Sequence, residues 1–202
     1  MSSRGRPRLF DRTEALEKAM EVFWQYGFEG SSLTDLTNAM GINSPSLYAA
    51  FGSKEALYLE AVRHFGCTMG SGPLKALTET PSLREGLAKM LWASIESATQ
   101  AGKPQGCMIA LGATHCAPEH QRVQQELREI RRAVQDTLRL KFEDAAAEGL
   151  LPSDVNAASL ALYYVTVLHG LSIQARDGAS REELASVVDH ALTAFDRAAR
   201  RN

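Results

Sequence analysis

Ser32-Leu-Thr-Asp-Leu-Thr-Asn-Ala-Met-Gly-Ile-Asn-Ser-Pro-Ser-Leu-Tyr-Ala-Ala-Phe51 holds two short helical patterns separated by three residues. The first opens at Ser32, with Asp35 placed to complete a capping pair. It carries Leu33, Leu36 and Met40 inward and stops at Gly41-Ile42, a left-handed turn followed by an apolar residue. The second begins at Asn43 or Ser44, with Pro45 in its first turn, where a missing N–H costs nothing. It is about two turns long, directs Leu47 and Phe51 inward, and ends at Gly52. Two short helices joined by a three-residue turn containing glycine have the spacing of a helix-turn-helix, whose second helix can enter a major groove.

The outward face of that second helix is unusual for a solvated surface. Ser44, Pro45, Ser46, Tyr48, Ala49 and Ala50 are small or polar, and none is acidic. A surface that sits against base edges and phosphates needs this narrowness and these hydroxyl donors. Ser32 and Thr34 start the helix before it, and Ser53-Lys54 starts the one after. Helix N-termini and a lysine are groups that bind phosphate.

Outward from this segment the pattern stays helical. Leu16, Ala19, Met20 and Phe23 form the stripe of a preceding helix, capped by Asp11 and stopped at Gly27-Phe28. Leu57, Ala61, Val62 and Phe65 mark a following one. Between Gly66 and Pro81 the periodicity lapses, which predicts a boundary between two helical regions. Later helices are expected from Ser82 to about Thr99, Cys107 to His115, Glu119 to Glu148, Asn156 to Ala175, and from Ser180 onward. With no alternating β run, the chain reads as all-α, with about nine helices. It divides into a basic arm (1–10), a three-helix helix-turn-helix domain (11–66) and a C-terminal bundle (67–202).

The 202 residues are 45% hydrophobic and 23% charged, an ordinary globular balance. The net charge of -2 advertises no polyanion partner, so any nucleic-acid contact has to be local. Residues 1–66 hold seven Lys or Arg against eight Asp or Glu, with the positive charge concentrated in Arg4, Arg6 and Arg8. Three cysteines without a CxxC exclude a disulfide framework and suit a reducing cytosol. No signal peptide and no roughly 20-residue apolar span are visible. The expectation is a cytoplasmic protein with no membrane partner and no cofactor.

Gly41 through Leu57 resembles the recognition segment of the TetR/AcrR family of bacterial transcriptional regulators. Gly41, Leu47, Tyr48, Phe51, Lys54, Glu55 and Leu57 stand where the family's motif has them, as do Ala19, Phe23, Gly27, Phe28 and Ser32 through Asp35. The resemblance implies a DNA-binding regulator rather than an enzyme, most often a repressor of a palindromic operator. It implies that Thr34, Tyr48 and Lys54 contact phosphates, that Ser44, Pro45 and Ser46 face base edges, and that Arg4 and Arg6 reach a flanking minor groove. Ala49-Ala50 departs from the basic or aromatic pair common after the tyrosine.

The last two helices carry more apolar surface than one small bundle hides. Burial worth roughly 25 cal/mol per Å² favours covering it with a second copy. The expected homodimer interface comprises Leu162, Val165, Leu184, Val188, Leu192 and Phe195. The remaining helices are expected to surround a small-molecule effector pocket lined by Trp92, Met108, Leu111, His115, Tyr163, Tyr164 and His169. Two alternatives stand beside this. Cys107, His115 and Cys116, with His120, form a candidate metal or thiol-redox sensor. A thiol enzyme would need an orienting third residue, and none is recognisable. No resident metal is expected.

Overall fold

The computed structural model of the chain describes residues 10–200. Among them, ten α-helices and two 3-10 turns make up the regular structure. The caps read from the sequence form as expected. Asp11 accepts hydrogen bonds from the Thr13 and Glu14 amides at the start of α1 (Arg12–Gly30). Ser32 and Asp35 form a reciprocal capping box on α2 (Leu33–Met40). Asn43 accepts from the Ser46 amide on α3 (Ser44–Phe51), and Ser53 accepts from the Ala56 amide on α4 (Lys54–Cys67). Gly41 has φ 66°, a left-handed turn that a side chain would strain, and its neighbour Ile42 donates back to Thr37 O.

Three differences from the expected elements have physical causes. α1 continues to Gly30, although Gly27, at φ 72° and ψ 178°, breaks its geometry where the stop was expected. The segment expected to lack periodicity contains α5 (Gly72–Thr78), which buries only Leu77 and so shows no stripe. α7 is four residues (Met108–Leu111) rather than nine, because Gly112 turns extended and Ala113 takes a left-handed φ of 49°. The other helices follow the pattern: α6 (Leu83–Ala98), α8 (Gln121–Ala147), α9 (Ala157–Arg176) and α10 (Arg181–Ala198).

The core falls into two clusters. One gathers Phe23, Leu36, Leu47, Leu57 and Phe65 from α1–α4. It also takes in Met108, Ala113, Val123 and Leu127, so the packing crosses the expected boundary near residue 66. The other joins Leu87, Leu91, Leu138, Phe142, Tyr164 and Val188 from α6, α8, α9 and α10. Between them, α7 packs on α1, α4, α8 and α9. The Trp24 indole donates to Gly106 O at 3.1 Å, and Arg176 donates to Trp24 O at 3.0 Å. These bonds tie α1 to the C-terminal helices.

Candidate DNA-binding interface

Leu47 is fully buried and Phe51 nearly so, which fixes the rotation of α3 on its neighbours. Burying one such side chain is worth roughly 1.5–3 kcal/mol, enough to hold a two-turn helix that would not persist alone. The rotation leaves Ser44, Pro45, Tyr48 and Ala49 exposed, with Ser46 half-buried. Tyr48 is 46% exposed, so its phenol is free to meet a partner. Thr34 is exposed near the start of α2. Phe10 shares a notch with Gly41, Ile42, Asn43 and Ser46, at the turn between α2 and α3. Arg4 and Arg6 themselves lie outside the described residues.

Lys54 is placed differently from a free phosphate-binding lysine. Its ammonium lies 4.6 Å from the centroid of the Phe28 ring, and burial lowers its proton affinity against the opposing pull of Glu29. Reaching a phosphate therefore requires the side chain to leave the ring. The sequence reading missed Arg12. Its guanidinium bonds both oxygens of Glu60, with Nη2 2.7 Å from Oε2, and sits 4.4 Å over the Phe51 ring. It also donates to Ala50 O at 3.3 Å, so one side chain links α1, α3 and α4. The hydrogen bond from Arg12 holds the Glu60 carboxyl below its usual range. The position directly after a cap gave no signal of this.

The expected effector residues do not come together. Only His169 lines the apolar cavity among α5, α6, α7, α8 and α9. Met108 and Leu111 line a separate cleft against Phe23 and Trp24. Tyr164 is fully buried, donating to Ala191 O at 2.9 Å, whereas Tyr163 and His115 are exposed and Trp92 lies half-buried beneath Arg181. Aromatic bulk at helical spacing marked core and surface alike, and only packing separates them. Arg131, which also lines that cavity, was missed. It stands at i+4 from Leu127 and i−3 from Val134, so a charge within an apolar stripe was the available signal.

The expected dimer residues divide in the same way. Val165, Leu184, Val188 and Phe195 are buried in the chain's own core. Leu192 is half-buried, and Leu162 is 53% exposed. The exposed apolar side chains on α9 are Leu162, Tyr163 and Ile173. Cys107, His115, Cys116 and His120 do not form a metal site. Among the described residues, no group of three or more His, Cys, Asp or Glu is arranged to hold an ion. Burial raises the pKa of both the Cys107 and Cys116 thiols, which disfavours the reactive thiolate. No helix among the described residues is long and apolar enough to cross a membrane.

Known proteins share both halves of this architecture. Residues 15–61 match the family described as bacterial regulatory proteins, tetR family, and residues 84–191 match the tetracyclin repressor-like C-terminal domain. The transcriptional repressor ComR of Escherichia coli (strain K12) is 34% identical over 191 residues, covering 94% of this chain and 91% of that protein. The repressor BdcR of the same organism is 31% identical over 180 residues, covering 89% and 86%. A cysteine-substituted form of the TetR-family regulator CifR, solved with 26-bp double-strand operator DNA, superposes with a TM-score of 0.90. It is 44% identical, and the match covers 94% of this chain and 100% of that one. The cap-for-cap helix-turn-helix, the C-terminal helices and these full-length similarities agree: the chain belongs to the TetR family of DNA-binding transcriptional regulators.

Proposed function

We propose that this regulator is a homodimeric repressor that binds a palindromic operator and is released from it by a small molecule. The observation that carries the proposal is the outward face of α3. It is fixed by two buried side chains, free of acids, and supplied with hydroxyls at Ser44, Ser46 and Tyr48. In this reading Ser44, Pro45 and Ser46 face base edges. Thr34, Tyr48 and Lys54 contact phosphates, and Arg4 and Arg6 enter a flanking minor groove. The repressor function is argued from the likeness to the repressors ComR and BdcR, and operator binding from the CifR complex.

Leu162 and Ile173 support the homodimer. They recur on one exposed stripe of α9, three turns apart, with Thr166 between them. A symmetric pairing of α9 and α10 with their copies would cover that stripe and set two α3 helices at repeating half-sites. The test is a mobility shift on DNA from upstream of the chain's own coding sequence, combined with solution mass by light scattering. A dimer that shifts this DNA at concentrations that leave scrambled DNA free is expected. A monomer, or equal affinity for both DNAs, would overturn the proposal.

A further inference from the structure

Arg131 occupies a core-facing position on α8, and burial lowers its proton affinity. The ionisable groups coupled to it are Tyr58, Cys107, Arg128 and His169, none of them a carboxylate. Its Nη1 donates instead to two main-chain oxygens, Ile109 O at 2.9 Å and Gly112 O at 3.0 Å. A partly desolvated cation held by neutral carbonyls lacks the partner that would best offset its desolvation.

The same side chain lines a cavity of about 100 Å³. Ile109, Val134 and Leu168 give it apolar walls, and no Asp or Glu contributes. Three buried polar residues occur among the described ones, and two of them, Ser94 and Ser172, line this cavity. His169 completes the polar set. Burial, and secondarily the charge of Arg131, lowers its proton affinity, so it is neutral at neutral pH. That space admits a small molecule only. The lining thus offers one cation, hydroxyl and imidazole hydrogen bonds, and a short hydrocarbon wall.

We infer that this cavity takes a short aliphatic monocarboxylate, with its carboxylate on Arg131 and its hydrocarbon end on Val134 and Leu168. The inference rests on the ligand-responsive reading above and names the ligand class. Carboxylate oxygens compete with Ile109 O and Gly112 O for the guanidinium, and a charge-assisted pair is roughly twice as strong as a neutral bond. The carbonyls they displace belong to α7 and the residue after it, which pack on the DNA-reading unit. A Cβ at Gly112 would stand 2.7 Å from the Tyr58 hydroxyl of α4. That hydroxyl is buried without a hydrogen-bond partner, and Ala113 beside it holds a left-handed backbone. Such a joint has unmet hydrogen bonding and strain to relieve when it moves. Releasing it lets α4, and α3 with it, shift from the operator geometry.

The test titrates the full chain on its operator fragment with propionate, butyrate or isovalerate, against sodium chloride at matched ionic strength, because salt alone weakens DNA binding. Butyramide and isovaleramide serve as neutral counterparts. At least one acid is expected to weaken operator binding tenfold or more beyond chloride, with the amides changing it less than twofold. Arg131→Met, and separately Val134→Phe, which fills the cavity without touching the cation, are expected to reduce the acid effect below twofold. Melting curves with and without acid verify that each variant is folded. Acids that act no better than chloride, or that act on either variant as strongly as on the unaltered chain, would overturn the inference. Amides as effective as acids would also overturn it while leaving ligand response intact. Failure of the untreated chain to prefer operator DNA would instead overturn the regulator reading beneath it.

Discussion

Helices α3 and α9 are each decided by their apolar residues, but in opposite ways. α3 has eight residues, of which only Leu47 and Phe51 are buried, so the sequence alone sets which face turns inward. α9 has twenty, and it buries Ala161, Tyr164, Val165, Leu168, Leu171, Ser172 and Ala175 while exposing Leu162, Tyr163 and Ile173. When both sides of a helix are apolar, periodicity gives its existence and not its orientation. A sparse stripe is therefore more informative about function than a dense one. The small, acid-free face of α3 stands out because nothing apolar competes with it.

The comparison can be broken most directly at Leu47. Leu47→Ala is expected to cost about 2–5 kcal/mol and to abolish operator binding, because α3 has no other fully buried anchor. Chemical denaturation and a mobility shift measure the two effects. Gly112→Ala places a Cβ 2.3 Å from Met108 O and 2.7 Å from the Tyr58 hydroxyl. It is expected to cost about 1–3 kcal/mol through overpacking at the joint between the two regions, again read by denaturation. Asn43→Ala removes the cap that accepts the Ser46 amide, a loss of about 1 kcal/mol. Operator affinity should fall further than the melting temperature, since the fraying is confined to α3.

The smallest expected effect concerns pH and the C-terminal region. Burial lowers the His169 pKa from its ordinary 6.5, so the unfolded chain binds the proton more readily than the folded one. Stability present above pH 6.5 is then lost as pH falls through that value, and His169→Gln should flatten this part of the profile. Denaturation midpoints between pH 5.5 and 7.5 measure it. No flattening would mean that His169 does not lose stabilising burial when protonated.

Much of the fold was legible because its signals are local. Ser32, Asn43, Ser53, Ser82, Asn156 and Ser180 all cap helices as their positions suggested. α5 was hidden because a seven-residue helix that buries one leucine has no period to detect. The outward face of α3 was readable for the same local reason. The burial of the candidate effector and interface residues was not, since Tyr163 and Tyr164 are neighbours in sequence and only tertiary contacts bury one and expose the other. Arg131 required seeing that its charge has no carboxylate opposite. Arg12 required seeing Glu60, forty-eight positions away, at its side.

The central claim is that α3 reads base edges while Lys54 and its neighbours hold the phosphates. Titrating the operator and a panel of single-base variants over a salt series, with wild type, Ser46→Ala and Lys54→Gln, tests it. Lys54→Gln is expected to weaken binding to every sequence alike and to lower the salt slope by about 1, whereas Ser46→Ala is expected to change the order of preference among the variants. Identical rankings for all three proteins, with salt slopes unchanged, would contradict the account.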